Sequence, residues 1–103
     1  MAVQTTSIHT LFADALDLTN SAENTVIAPG VTLASDFEDG VVSKSDAQTL
    51  INHGSIIATE NATSAVVFGQ PASLVVNAPD GSITGYVGVE VGDGDSAINF
   101  GSI

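Results

Sequence analysis

The chain contains no cysteine, no tryptophan and no arginine, and Lys44 is its one strongly basic residue. Without cysteine, neither disulfides nor thiolate metal centres can contribute to the fold. Twelve acidic residues against that single base give a formal net charge of −11. Nothing in such a chain can replace the counterions of a phosphate backbone, which excludes nucleic acid as a partner. Anionic membrane surfaces are excluded on the same ground. No apolar run is long enough to insert in a bilayer. The opening residues Met1 to Thr6 lack the basic region and apolar stretch of a cleavable signal peptide. Aromatic residues are also scarce, four Phe and one Tyr, so the core must come from Val, Ile, Leu and Ala. Few long helix formers stand among abundant Gly, Ser, Thr, Asn and Asp, a balance that favours strands joined by tight turns. At 103 residues the chain is one small domain that needs an efficient core.

What is present is a phrase repeated three times. Gly54-Ser55-Ile56, Gly81-Ser82-Ile83 and Gly101-Ser102-Ile103 each follow an apolar pair and an asparagine. Those asparagines, Asn52, Asn77 and Asn99, are 25 and 22 residues apart. A repeat of this length marks a solenoid, whose coils cannot bury their apolar faces alone. Extended backwards, Val26-Ile27-Ala28-Pro29-Gly30 aligns with Leu50-Ile51-Asn52-His53-Gly54, and Gly40-Val41-Val42 aligns with Ala65-Val66-Val67. The expected coils are residues 25–48, 49–72 and 73–95, with a fourth opening at Ser96. The expected fold is an all-β, short parallel β-helix of about three coils.

Residues 1–24 do not fit this pattern and read as an N-terminal cap on the solenoid of residues 25–103. Apolar positions 8, 11, 12, 15 and 16 suit a short amphipathic helix with Ser7 as N-cap. Leu11-Phe12 and Leu16-Asp17-Leu18 alternatively make two irregular strands.

Asn52, Asn77 and Asn99 should share one corner about 4.8 Å apart, where their amides can bond in a ladder. Ala28 takes that place one coil earlier. The glycines Gly30, Gly54, Gly81 and Gly101 follow the ladder position, and a corner needing positive φ accounts for them. Two acidic groups, Asp36, Glu38 and Asp39 in one bend and Asp93 and Asp95 in another, offer oxygen ligands to calcium. Their plainer reading is as solvated bends, and no cofactor is required. His9 and His53 lack partners at metal-ligand spacing and read as surface residues. No Gly-x-Ser-x-Gly motif is present, and no Arg could clamp an anionic sugar, so catalysis is not expected. Asn61-Ala62-Thr63 fits a glycosylation sequon.

The Asn-x-Gly-Ser-Ile units of this acidic, cysteine-free chain resemble the β-strand repeats of bacterial surface and secreted proteins. These include autotransporter passengers, repeat adhesins and the solenoid parts of type-I-secreted calcium-binding proteins. The resemblance spans residues 25–103 and rests on 50–56, 75–83 and 97–103. It implies a right-handed, extracellular or cell-surface stalk or adhesive surface. The expected partners are another copy or following repeats at the open C-terminal edge, as in an N-terminal portion of a longer protein. A glycan or protein bound with calcium is the alternative expectation.

Overall fold

A computed structural model of the chain describes residues 2–60, 63–92 and 94–103. Its strands recur in threes. β1 (Ala2–Gln4), β2 (Ile8–Thr10) and β3 (Leu16–Leu18) form a first coil. β4 (Asn24–Ile27), β5 (Thr32–Ser35) and β6 (Val41–Ser43) form a second. The third holds β7 (Thr49–Asn52), β8 (Ser55–Ala58) and β9 (Ser64–Phe68); the fourth holds β10 (Leu74–Asn77), β11 (Ser82–Thr84) and β12 (Val87–Val91). β13 (Ser96–Asn99) opens the next turn, and Ser102 bridges to Ser82 beyond it. First strands stack as β1-β4-β7-β10-β13, second strands as β2-β5-β8-β11, and third strands as β3-β6-β9-β12. Every one of these pairings is parallel. The chain is an all-β parallel solenoid of about four turns with three faces.

Strand alternation decides what lies inside. β7 buries Leu50 and Asn52 while Thr49 and Ile51 face outward, the period of two expected of a sheet with one wet face. Inward residues then stack along the axis. Leu33, Ile56 and Ile83 make one column, headed by Ile8. Val41, Val66 and Val89 make another, headed by Leu16. Leu50 and Val75 lie between Thr25 and Ala97. Ile27, Leu33, Leu50 and Ile56 are wholly buried, each worth roughly 2 kcal/mol of burial. Phe68 is the largest buried side chain and sits in register with Val91 of the next coil.

The structure differs from the expectations at its start. The coil count is four rather than three, because residues 2–18 already wind as a rung. No helix forms over positions 8 to 16: Ile8–Thr10 and Leu16–Leu18 are strands paired with β5 and β6. The bend between them stacks on the next one, with Phe37 N donating to Leu11 O at 3.0 Å and Leu16 N to Gly40 O at 3.0 Å. Ile8, Ala15 and Leu16 do pack on the core, but Leu11 and Phe12 point outward, contrary to the helical reading. The backward alignment also shifts by one residue. Ile27, not Ala28, pairs with Asn52, so the ladder position holds Gln4 and Ile27 in the first two coils.

Candidate functional site

Three corners separate the three faces, and nearly all of the chain's polar chemistry sits at them. At the corner between first and second faces, Asn52 Nδ2 donates to Asn77 Oδ1 at 2.9 Å, and Asn77 Nδ2 donates to Asn99 Oδ1 at 2.9 Å. The same amides reach the following turn. Asn52 Nδ2 lies 3.2 Å from Gly54 O and Asn52 Oδ1 accepts from Gly54 N at 3.0 Å. Asn77 Nδ2 is 3.1 Å from Ser102 O. Asn52 and Asn77 are buried, while Asn99, on the last rung, is exposed. Among the described residues no buried side-chain nitrogen or oxygen lacks a partner.

The glycines of this corner are needed for a reason other than the one expected. Gly54, Gly81 and Gly101 do not have positive φ. At Gly81 an added Cβ would fall on the Asn52 carbonyl oxygen and on Asn77 Oδ1, so it is close approach of the neighbouring rung that demands glycine. Gly30 stands outside this column, whose place in its coil belongs to Val31, since Ser55 N donates to Val31 O and Ser82 N to Gly54 O. Gly30 alone of the four has positive φ, +82°, closing a Pro29-Gly30 turn in which Val31 N donates to Ala28 O.

The corner between third and first faces carries a feature that sequence reasoning missed. Ala22, Ala47 and Ala72 have φ of 56°, 56° and 60°, and Gly94 follows at 78°. Ala22 N donates to Asp46 O and Ala47 N to Pro71 O, so the left-handed residues stack rung on rung. Alanine gives no signal of this conformation; only the final glycine does. Beneath them Gln48 is buried, with Oε1 accepting from Ser43 Oγ at 2.6 Å and Nε2 donating to Asn20 O at 2.8 Å.

The corner between second and third faces holds the Asp36–Asp39 bend. Asp36 Oδ1 is 2.8 Å from His9 Nε2, and His53 Nδ1 is 2.7 Å from Asp80 Oδ1 at the first corner; both histidines are surface residues that tie adjacent coils together. Glu38 N donates to Ser35 Oγ at 3.1 Å. Asp14 Oδ1 accepts from Asp39 N, and Asp39 Oδ1 accepts from Ser64 N at 2.8 Å, a two-rung ladder of carboxylates on backbone amides. Burial, followed by a hydrogen bond and like charge from Asp17 and charge from Asp39, pushes the Asp14 carboxyl up to about 6. The second acidic bend lies at the corner between third and first faces, where Asp95 accepts from Ser73 N at 2.8 Å and from Gly92 N at 3.1 Å. Asp93 lies outside the described residues, as do Asn61 and Ala62 of the sequon. Among the described residues no three of His, Asp and Glu are grouped to hold a metal ion, and no helix is long and apolar enough to cross a membrane.

Two aromatic rings also meet at the corner between second and third faces. Phe12 and Phe37 stack with centroids 5.2 Å apart and planes inclined by 14°. Phe12 is 75% exposed and Phe37 43%. The bends of the first two coils are equal in length, which sets Phe12 over Phe37 as it sets Asp14 over Asp39. No protein-family pattern, no characterised protein and no solved structure matches this chain.

Proposed function

We propose that the chain is a structural, non-catalytic module of a bacterial extracellular or cell-surface protein. On this reading its C-terminal rim accepts a further rung, either from a second copy or from following repeats. The observation that carries it is the state of that rim. β13 has a neighbour on one side only, and Val87, Val91, Ile98 and Ile103 are exposed around it. An edge of this kind is a template for one more strand. The absence of catalysis is supported by how the candidate acids are used: Asp39 and Asp95 accept backbone N–H groups, and Asp36 faces His9. Outward placement in the cell rests on the resemblance of the Asn-x-Gly-Ser-Ile units, in an acidic and cysteine-free chain, to the repeats of bacterial surface and secreted proteins.

Sedimentation across a concentration series at moderate salt tests the rim. Association that grows with concentration and disappears in Ala97→Glu supports the reading; a strict monomer at millimolar concentration overturns the self-association part. Calcium is the competing account of the acidic bends. A melting temperature raised by several degrees at micromolar calcium, beyond ionic-strength controls, would replace the scaffold reading with a calcium-assisted glycan- or protein-binding module.

A further inference from the structure

We propose that the stacked Phe12–Phe37 pair is a docking platform for a cationic segment of a partner protein, one that lays an arginine over the open ring face. This goes beyond the scaffold reading and uses a different surface from the C-terminal rim. Of the chain's five aromatic residues, Phe12, Phe37, Tyr86 and Phe100 are exposed and Phe68 is buried; what sets Phe12 and Phe37 apart is that they stack on one another in solvent. Core packing does not explain the pair, since Phe12 projects from a bend and is largely free of protein on its outer side. Leu11, half exposed beside it, extends the apolar strip.

Charge selects the occupant. Within residues 11–17 and 36–40 there are five carboxylates and no Lys or Arg, and the one imidazole that reaches them, His9, faces Asp36 at 2.8 Å. An anionic or polyphosphate partner would be repelled, and a purely apolar one would leave Asp14, Asp17, Glu38 and Asp39 without counter-charge. A guanidinium satisfies both halves of the surface, because it stacks on an aromatic face and pairs with carboxylates. The electronegative face of a ring flanked by acids is the electrostatic complement of a cation. Stacking two rings on successive rungs sets both at one rung spacing, so that a second cationic side chain of an extended segment can reach the bend below.

Acetylated tetra-arginine amide, with tetra-lysine as its charge-matched control, is a suitable probe of the intact chain. Binding is read from ring carbon signals of Phe12, Phe37, Phe100 and Tyr86 by NMR. The expected result is that Phe12 and Phe37 shift while Phe100 and Tyr86 do not, that arginine binds more tightly than lysine, and that Phe12→Leu weakens arginine binding about threefold with its charge and melting temperature unchanged. Added salt weakens binding without erasing the preference for arginine. Equal shifts at all four rings, equal affinity for Phe12→Leu, or no binding at low salt would overturn the proposal. So would ring-dependent binding of neutral maltohexaose with none of the arginine peptide, which would assign the platform to a glycan.

Discussion

The asparagine corner and the acidic corner are built on the same principle, like side chains laid over like on successive rungs, but their chemistry makes the outcome opposite. An amide both donates and accepts, so Asn52, Asn77 and Asn99 satisfy one another and the turn around them with no net charge. A carboxylate only accepts. Asp14 and Asp39 must each find a backbone N–H on the next rung, and stacking them brings negative charges together. The amide ladder can therefore be buried, whereas burial works against the carboxylate ladder: burial first, then Asp17, raises the Asp14 carboxyl, the Asp39 N–H works against that rise, and the Asp39 charge adds a smaller increment. Repetition lets neutral amides satisfy one another, whereas stacked carboxylates depend on backbone N–H groups to offset their like charge.

The largest test of this contrast is Asn77→Leu. The substitution is close to isosteric but removes the middle amide, leaving the Asn99 oxygen and the Ser102 carbonyl without their buried donor. The expected loss is about 2–4 kcal/mol, or a melting temperature lower by roughly 10–20 °C. Asn99→Leu, on the exposed final rung, should cost less than about 1 kcal/mol. Thermal unfolding by circular dichroism compares them. Equal losses at the two sites would mean that burial does not grade the ladder.

Replacing a member of the acidic ladder should act in the other direction. Asp14→Asn keeps an oxygen to accept from Asp39 N and removes the charge facing Asp17 and Asp39. The folded carboxyl titrates at about 6 against an ordinary 3.8, so the folded chain holds a proton that the unfolded chain has released in between. Stability from this group is full below the unfolded value and is lost as pH rises through about 6. Screening by solvent reduces the effect, and the expected gain for Asp14→Asn at pH 7 is about 1 kcal/mol, disappearing near pH 4. Melting curves of both proteins across that range check it. A gain independent of pH would remove the charge explanation.

How much of this was legible from the residues depended on which corner carried the signal. Asn52, Asn77 and Asn99 set the register of the last three rungs, and the pairing of Leu50 with Val75 follows it; Val41 pairs with Val66 as the match of Gly40-Val41-Val42 to Ala65-Val66-Val67 requires. The first two rungs lack the signature because Gln4 and Ile27 occupy the asparagine position, and the first is the harder to see. Its Ser7-Ile8 and the Thr32-Leu33 above it are members of the same Ser-Ile column, a weaker cue that the missing glycine hides. The helical spacing of positions 8, 11, 12, 15 and 16 arises by coincidence, since strand, bend and strand supply the apolar residues in turn. Gly30 misled the alignment because its Pro29-Gly30 turn adds residues that the Asn52-His53-Gly54 turn lacks. Left-handed alanines and the Phe12–Phe37 stack depend on rung-to-rung geometry, which no single residue type announces.

The smallest expected effect lies where a charge is exposed and paired. The hydrogen bond from His53 holds the Asp80 carboxyl below the ordinary aspartate range, although Asp80 is exposed. Because the folded value is depressed, the pair's contribution is present above the unfolded aspartate pKa and is lost as pH falls through the lower folded one. His53→Ala should return the Asp80 titration, followed by carboxyl carbon NMR, to the ordinary range, with a melting temperature at neutral pH indistinguishable from the parent chain. The two ladders predict this insensitivity, since an exposed pair spans one rung gap without support from a stack. A clear drop in melting temperature would mean that the His53–Asp80 contact braces the first corner, and that isolated cross-rung pairs rank with the buried amides.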